Sequence, residues 1–218
     1  KKRCPCRRRR RAEAAPGAAM TVVAFLHQKG GTGKSTLAIA AALALAQAGR
    51  RVLLLDADYQ GTGSEWGNRF AHRFGLETRS QVQPIVHLEV ERFRAAFEWV
   101  LIDGPPSLSE MTESILRASD LVIVPIRPSL PDVWALPWLA AIVRKLQREG
   151  GRPAVRVVFN QHAGEELGPL REELAPWRLP LHPEPIPADP AFRAVFAGVP
   201  LPGPLAERVL ALLAEESG

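Results

Sequence analysis

Short apolar runs alternate with longer segments of helical spacing along most of this chain. The runs at 21–27, 51–55, 99–102, 121–126 and 154–159 hold almost no polar residues, the pattern of strands buried on both faces of a parallel sheet. A weaker run at 86–90 is expected as a further strand. Helices are predicted over 35–48, ended by Gly49, and over 63–74, 109–118, 132–149, 165–175 and 204–216. The Pro-rich stretch 179–190 is the one long irregular segment, and nothing repeats. Such alternation predicts an α/β fold in which crossover helices join parallel strands.

A length of 218 residues suits one sizeable domain, and 46% hydrophobic with 23% charged residues is ordinary for a globular chain. The net charge of +5 changes meaning once it is located. Residues 1–19 hold eight Lys and Arg against Glu13, whereas the remainder carries 20 basic and 22 acidic residues. The expected organisation is a disordered basic extension at 1–19 and a single domain over 20–218. Two readings of the extension stay open: an upstream segment that is not native, with the functional protein starting at Met20, or an arm that binds DNA phosphates. Cys4 and Cys6 are the only cysteines, too few for a four-ligand zinc site and absent from the domain itself. With no apolar run of about 18 residues and no signal-peptide core, a cytoplasmic location is expected.

The chemistry concentrates between the first strand and the first helix, at Gln28-Lys29-Gly30-Gly31-Thr32-Gly33-Lys34-Ser35-Thr36. Glycines let successive backbone N–H groups converge on a phosphate, and the helix that follows adds the positive end of its dipole. Lys34 can reach the β- and γ-phosphates, and the Ser35 hydroxyl can ligate Mg²⁺. The segment therefore reads as a P-loop, with Gly30, Gly31, Thr32, Gly33, Lys34, Ser35 and Thr36 around an ATP. Two further strands end in carboxylates: Leu-Leu-Leu-Asp56-Ala-Asp58-Tyr59-Gln60, and Val-Leu-Ile-Asp103-Gly-Pro-Pro-Ser. An Asp after a strand is often only a turn or cap residue. Ligands of open parallel sheets, however, sit at the strands' C-terminal ends, where all three Asp fall. Asp103 matches a Walker B aspartate, placed to hold Mg²⁺.

The loop departs from the usual P-loop in one respect: Gln28 stands where the first glycine belongs, and a second lysine, Lys29, opens the loop. This form resembles the deviant Walker A box of the ParA/MinD superfamily, in which the extra lysine crosses a dimer interface to touch the partner's nucleotide. The Asp56-x-Asp58 segment is similar to that family's D-x-D-P-Q box, with Tyr59 in place of proline. Asp103-Gly104-Pro105-Pro106-Ser107-Leu108 resembles its second switch segment, and Ala118-Ser119-Asp120, Pro128-Ser129 and Asn160-Gln161 fall where family motifs fall. The resemblance covers roughly 20–200 and implies a three-layer P-loop NTPase fold and a Mg-dependent ATPase. By it, Lys29, Lys34 and Asp58 are the catalytic candidates, with Asp58 orienting the attacking water. Ser35, Asp56 and Asp103 support the metal. Asn160 reads the adenine edge and Pro187 lies in the loop over the base, although a strand-end Asn is also a common turn residue.

Superfamily branches separate on simple chemistry. Iron–sulfur relatives need cluster cysteines, and tyrosine-cluster kinases need more than the single Tyr59. The last helical segment, Leu205 to Glu216, is apolar on one side and acidic on the other, unlike the basic membrane helix of MinD-like proteins. What remains implied is a small ParA-type partition ATPase without a preceding helix-turn-helix domain. It would dimerise with ATP, bind nonspecific DNA on the nucleoid, and meet a centromere-binding or cargo-adaptor protein that stimulates hydrolysis, with no membrane partner. Its cargo would be a plasmid, a chromosome or a protein assembly. Arg144, Lys145, Arg148 and Arg152, with Arg127 and Arg193 behind them, are the candidate DNA contacts; an ordinary solvated helix face is the alternative. Trp134 and Trp138, four apart, read as packing residues or as a partner-facing stripe. A metabolic enzyme of the same fold, similar to dethiobiotin synthetase, and a MinD-like division ATPase are the competing functions.

Overall fold

The computed structural model describes residues 20–151 and 153–214. The basic stretch 1–19, Arg152 and the acidic residues at 215–216 lie outside the described residues. Six parallel strands form one sheet: β1 (Thr21–Phe25), β2 (Val52–Asp56), β3 (Glu77–Ser80), β4 (Trp99–Asp103), β5 (Leu121–Ile126) and β6 (Ala154–Phe159). Their spatial order is β3-β2-β4-β1-β5-β6. Helices cover both faces, so the inner strands alternate between two apolar layers. Val22, Ala24, Leu53, Leu55, Val100, Ile102, Val122 and Val124 face one core, while Val23, Phe25, Leu54, Leu101, Ile123 and Val158 face the other.

The first helix, α1 (Lys34–Gln47), has no polar stripe because it is buried nearly all round, between the sheet and the last helix of the chain. Gly49, at φ 79°, ends it as expected. Next come α2 (Thr62–Phe70), which passes into a 3₁₀ turn at Ala71–Phe74, and the single turn α3 (Val86–Glu89). The strand expected at 86–90 is therefore helical. Val86 and Val90 are both buried and lie four apart, the helical repeat, whereas Leu88 between them is exposed. The true neighbour of β2 is β3, whose Glu-Thr-Arg-Ser sequence carries no apolar signal because it forms the sheet edge.

α4 (Glu110–Ala118), α5 (Leu130–Val133) and α6 (Leu136–Arg148) pack with α3 on the face opposite α1 and α2. The helix predicted over 132–149 is broken, since Pro137 supplies no N–H and its ring excludes the carbonyl four residues earlier. It sits in the first turn of α6, where neither defect costs anything. The chain continues through α7 (Gly168–Leu174), α8 (Ala191–Ala194) and α9 (Gly203–Ala211). Both α7 and α9 are shorter than expected, with a proline in the first turn of each. The Pro-rich stretch is irregular as expected, yet it follows β6: Val157 donates to Pro180, Ile186 to Phe159 and His162 to Ile186. This lays Ile186 and Pro187 beside the phosphate loop.

Candidate nucleotide-binding site

Register sets the site. Phe25 pairs with Asp103 across β1 and β4, and Asp56 pairs with Asp103 across β2 and β4, so three strands end at one level. Beyond β1 the loop turns into α1 through Gly31 and Gly33, at φ 76° and 96°. A Cβ on Gly33 would also collide with the Asn160 amide, so both conformation and space demand glycine. The loop's carbonyls are held from outside: Asn160 Nδ2 donates to Thr32 O (2.7 Å) and Gln161 Nε2 to Gly31 O (2.9 Å). Gln161 adopts φ 60° to do so. Among the described residues no group accepts the N–H of Gly30, Gly31, Thr32 or Gly33, which leaves these donors for an anion. Lys34 Nζ lies inside the loop, donating to Lys29 O (3.1 Å). Burial holds the Lys34 ammonium below its ordinary pKa, opposed by Asp103 and Asp58.

The three carboxylates differ in their surroundings. Asp56 is fully buried, and its oxygens accept the N–H groups of Asp58 (3.1 Å) and Ser64 (2.6 Å), pinning the loop between β2 and α2. Asp58 is half-buried and accepts from Gln60 N (3.0 Å) through Oδ1, and it lies near enough to Lys34 to favour its charged form. Asp103 is fully buried, and neither of its oxygens closes a hydrogen bond with a described donor. Burial pushes its pKa up to about 7, Asp56 and Asp58 act in the same direction, and Ser35 and Lys34 offset part of the shift. An unpartnered buried carboxylate beside Ser35 fits Mg²⁺, which takes one or two protein oxygens and fills its octahedron with water and phosphate. Among the described residues no cluster of three or more His, Cys, Asp or Glu would hold a metal by itself.

A cleft of about 330 Å³ opens from the loop, lined by Gly33, Thr36, Asn160, Pro187, Phe192 and Phe196. Pro187, Phe192 and Phe196 supply apolar surface on which a planar ring could rest, beside the polar Asn160, Gln161, Asp189 and Arg193. Asn160 Nδ2 spends one of its two N–H groups on the loop, and its Oδ1 is left to accept a hydrogen bond.

A family model described as the CobQ/CobB/MinD/ParA nucleotide binding domain matches residues 23–201. This chain belongs to that family. It is 39% identical over 116 residues to the maintenance of carboxysome distribution protein A of Gloeobacter kilaueensis, covering 53% of each chain. It is 30% identical over 168 residues to the chromosome-partitioning ATPase Soj of Thermus thermophilus, covering 62% of this chain and 66% of Soj. The chain thus matches about half to two thirds of the length of these relatives. An ATP complex of McdA from Cyanothece shares the fold, with a TM-score of 0.72 at 19% identity over 90% of this chain and 97% of that one.

In this family member the second loop lysine pairs with a residue outside its own loop. Lys29 Nζ lies 3.5 Å from Asp132 Oδ1, while its N–H donates to His27 Nδ1 (3.1 Å). Burial lowers the His27 pKa to about 4, so the imidazole is neutral at pH 7 and its Nδ1 can accept. Gln161 was singled out only as part of the Asn160-Gln161 pair, and its bond to the loop came from the fold; His27 and Asp132 carried no motif, and their roles show only in the contacts they make with Lys29. The β-to-helix position of Asp132, four residues after Pro128, was the only available signal.

Outside the site the candidates divide. Arg144 and Arg148 are exposed, but Lys145 pairs with Glu113 and Glu149, and Arg127 is committed to Asp132. Arg193 lines the cleft beside Pro187 and Asn160. Trp134 and Trp138 do not pack inward, at 59% and 66% exposed, and only Trp134 has a polar contact, to Glu173. No helix among the described residues is long and apolar enough to cross a membrane.

Proposed function

We propose that this chain is an ATP-driven positioning switch of the partition type, in which nucleotide binding assembles a homodimer and hydrolysis dissolves it. The observation that carries this reading is the division of labour between two lysines. Lys34 donates back into its own phosphate loop, whereas the one-third-exposed Lys29 ammonium leaves the loop and pairs with Asp132. A lysine so placed serves a nucleotide held by a second copy. The loop N–H groups and Lys34 bind the phosphates, the cleft under Pro187 takes adenine with Asn160 Oδ1 as acceptor, and Asp58 orients the attacking water. Ser35 and Asp103, with Asp56 behind them, would hold Mg²⁺, which would neutralise charge on the phosphates. Loss of the γ-phosphate removes the contacts that join the two copies.

The likeness to Soj and to the carboxysome distribution protein supports positioning over small-molecule phosphorylation. The dimer would carry nonspecific DNA affinity through exposed cations such as Arg144 and Arg148, act on the nucleoid in the cytoplasm, and be reset by a centromere-binding or cargo-adaptor protein. The test measures solution mass and DNA retention of the full chain and of residues 20–218 with ATP, ADP or no nucleotide. ATP-specific dimers with salt-sensitive DNA binding in both forms are expected. ATP binding with neither effect would overturn the switch.

A further inference from the structure

Asp132 is a fully buried carboxylate that the nucleotide chemistry does not use. Its Oδ2 accepts the backbone N–H (3.0 Å) and Nε (2.9 Å) of Arg127, and its Oδ1 accepts Arg127 Nη2 (3.0 Å). Burial works to raise its pKa, but the Arg127 hydrogen bonds outweigh that and hold it below the usual carboxylate range. Arg127 thus already compensates the buried charge. The Lys29 ammonium, 3.5 Å from Oδ1 and one third exposed, is a second and surplus cation.

The Lys29 backbone is fixed independently, by His27 at its N–H and by Lys34 at its carbonyl. Gln28 Nε2 ties the same segment to Ala135 O (2.8 Å), just beyond α5. Only the Lys29 side chain is held by a contact that can be given up without stranding a buried charge, since Arg127 stays behind.

We propose that Asp132 is the positioning residue of Lys29: it retains the ammonium on its own subunit until the phosphates of a partner's ATP compete for it. The inference rests on Lys29 serving a second copy. Asp132 then sets how much ATP-bound protein is needed before the dimer forms. With Arg127 still paired to the buried carboxylate, the one-third-exposed Lys29 ammonium can exchange to another anion without leaving Asp132 uncompensated.

The experiment compares the full-length wild type with Asp132→Asn by analytical ultracentrifugation in Mg-ATP, alongside the affinity for a fluorescent ATP analogue. The variant should dimerise at roughly three- to tenfold lower protein concentration, with nucleotide affinity within about twofold of wild type. A purely structural role predicts the opposite sign, because a loosened 127–135 segment would weaken the dimer. An unchanged or weaker dimer in the variant, with normal wild-type dimers, overturns this inference alone. Absence of ATP dimers in the wild type overturns the switch and this inference with it. Should Asp132→Asn not fold, the ¹⁵N ammonium resonance of Lys29 in the wild type, assigned with Lys29→Arg, decides the matter. It should shift with Mg-ATP and stay in place with Mg-ADP; a resonance indifferent to ATP overturns the proposal.

Discussion

Asp56 and Asp103 are direct partners across β2 and β4, yet only Asp56 has its carboxylate satisfied by the chain. The Asp56 oxygens close a loop, while the buried Asp103 carboxylate accepts no backbone N–H and has only the nearby Ser35 hydroxyl and Lys34 ammonium to offset its burial. Register alone would have made the two equivalent. What separates them is the segment that follows each strand: after β2 the chain curls back to offer two N–H groups, and after β4 it leaves through Gly104 and two prolines.

That difference predicts a pH-dependent stability. The folded-state pKa of Asp103 is raised from 3.8 to about 7, so the native state binds the extra proton between these values. The contribution is fully present below pH 4 and is lost as pH rises through 7. Asp103→Asn should therefore melt roughly 5 °C above wild type at pH 8 and within a degree of it near pH 4, by thermal denaturation. Mg-nucleotide should narrow the gap at pH 8 by stabilising only the wild type.

Gly33 is the loop position with least tolerance. Gly33→Ala must place a methyl at φ 96° against the Asn160 amide, costing about 2 kcal/mol or more. Nucleotide binding should be lost, whereas Gly30→Ala, with open space around its Cβ, should keep it. Titration with an ATP analogue separates the two.

Asn160→Ala would leave the buried Thr32 carbonyl without its donor. The expected cost is about 1–3 kcal/mol in stability and a weaker affinity for ATP and for inorganic triphosphate alike. If ATP alone is affected, Asn160 acts on the base and not on the loop.

Lys34→Ala should weaken ATP binding by at least roughly tenfold, since it removes a charge-assisted contact to phosphate. Asp58→Ala should bind ATP normally and accumulate as a DNA-retained dimer, because water positioning is lost and the loop is still pinned by Asp56. Normal turnover in Asp58→Ala would remove it from the chemistry.

Trp134→Ala and Trp138→Ala remove exposed rings, so each should change stability by no more than about 0.5 kcal/mol. Chemical denaturation checks this directly. A larger loss would mean that the rings are covered in solution.

Most of the sheet was legible in the sequence: the inner strands β1, β2, β4 and β5 are buried on both faces and apolar up to their C-terminal ends, and the edge strand β6 is apolar except for Arg156. The edge strand β3 was not, since Glu77 to Ser80 need only offer backbone groups to β2. The run at 86–90 misled because five residues containing Val86 and Val90 satisfy a strand and a helical turn equally. The break at Pro137 was visible in principle, but the apolar spacing on either side ran through it.

The amino-acid sequence by itself determined the parallel α/β sheet, the phosphate loop and the carboxylates at the strand ends. Each depends on residue type and short spacing: glycines that permit positive φ, a lysine that follows them, an Asp after an apolar run. Tertiary structure alone decided which carboxylate keeps its oxygens unpaired, that Asn160 and Gln161 brace the loop from 128 and 130 residues away, and that Lys29 rests on Asp132. Those are choices among hydrogen-bond partners, and a partner is settled only when the folded backbone brings a donor within about 3 Å of an acceptor.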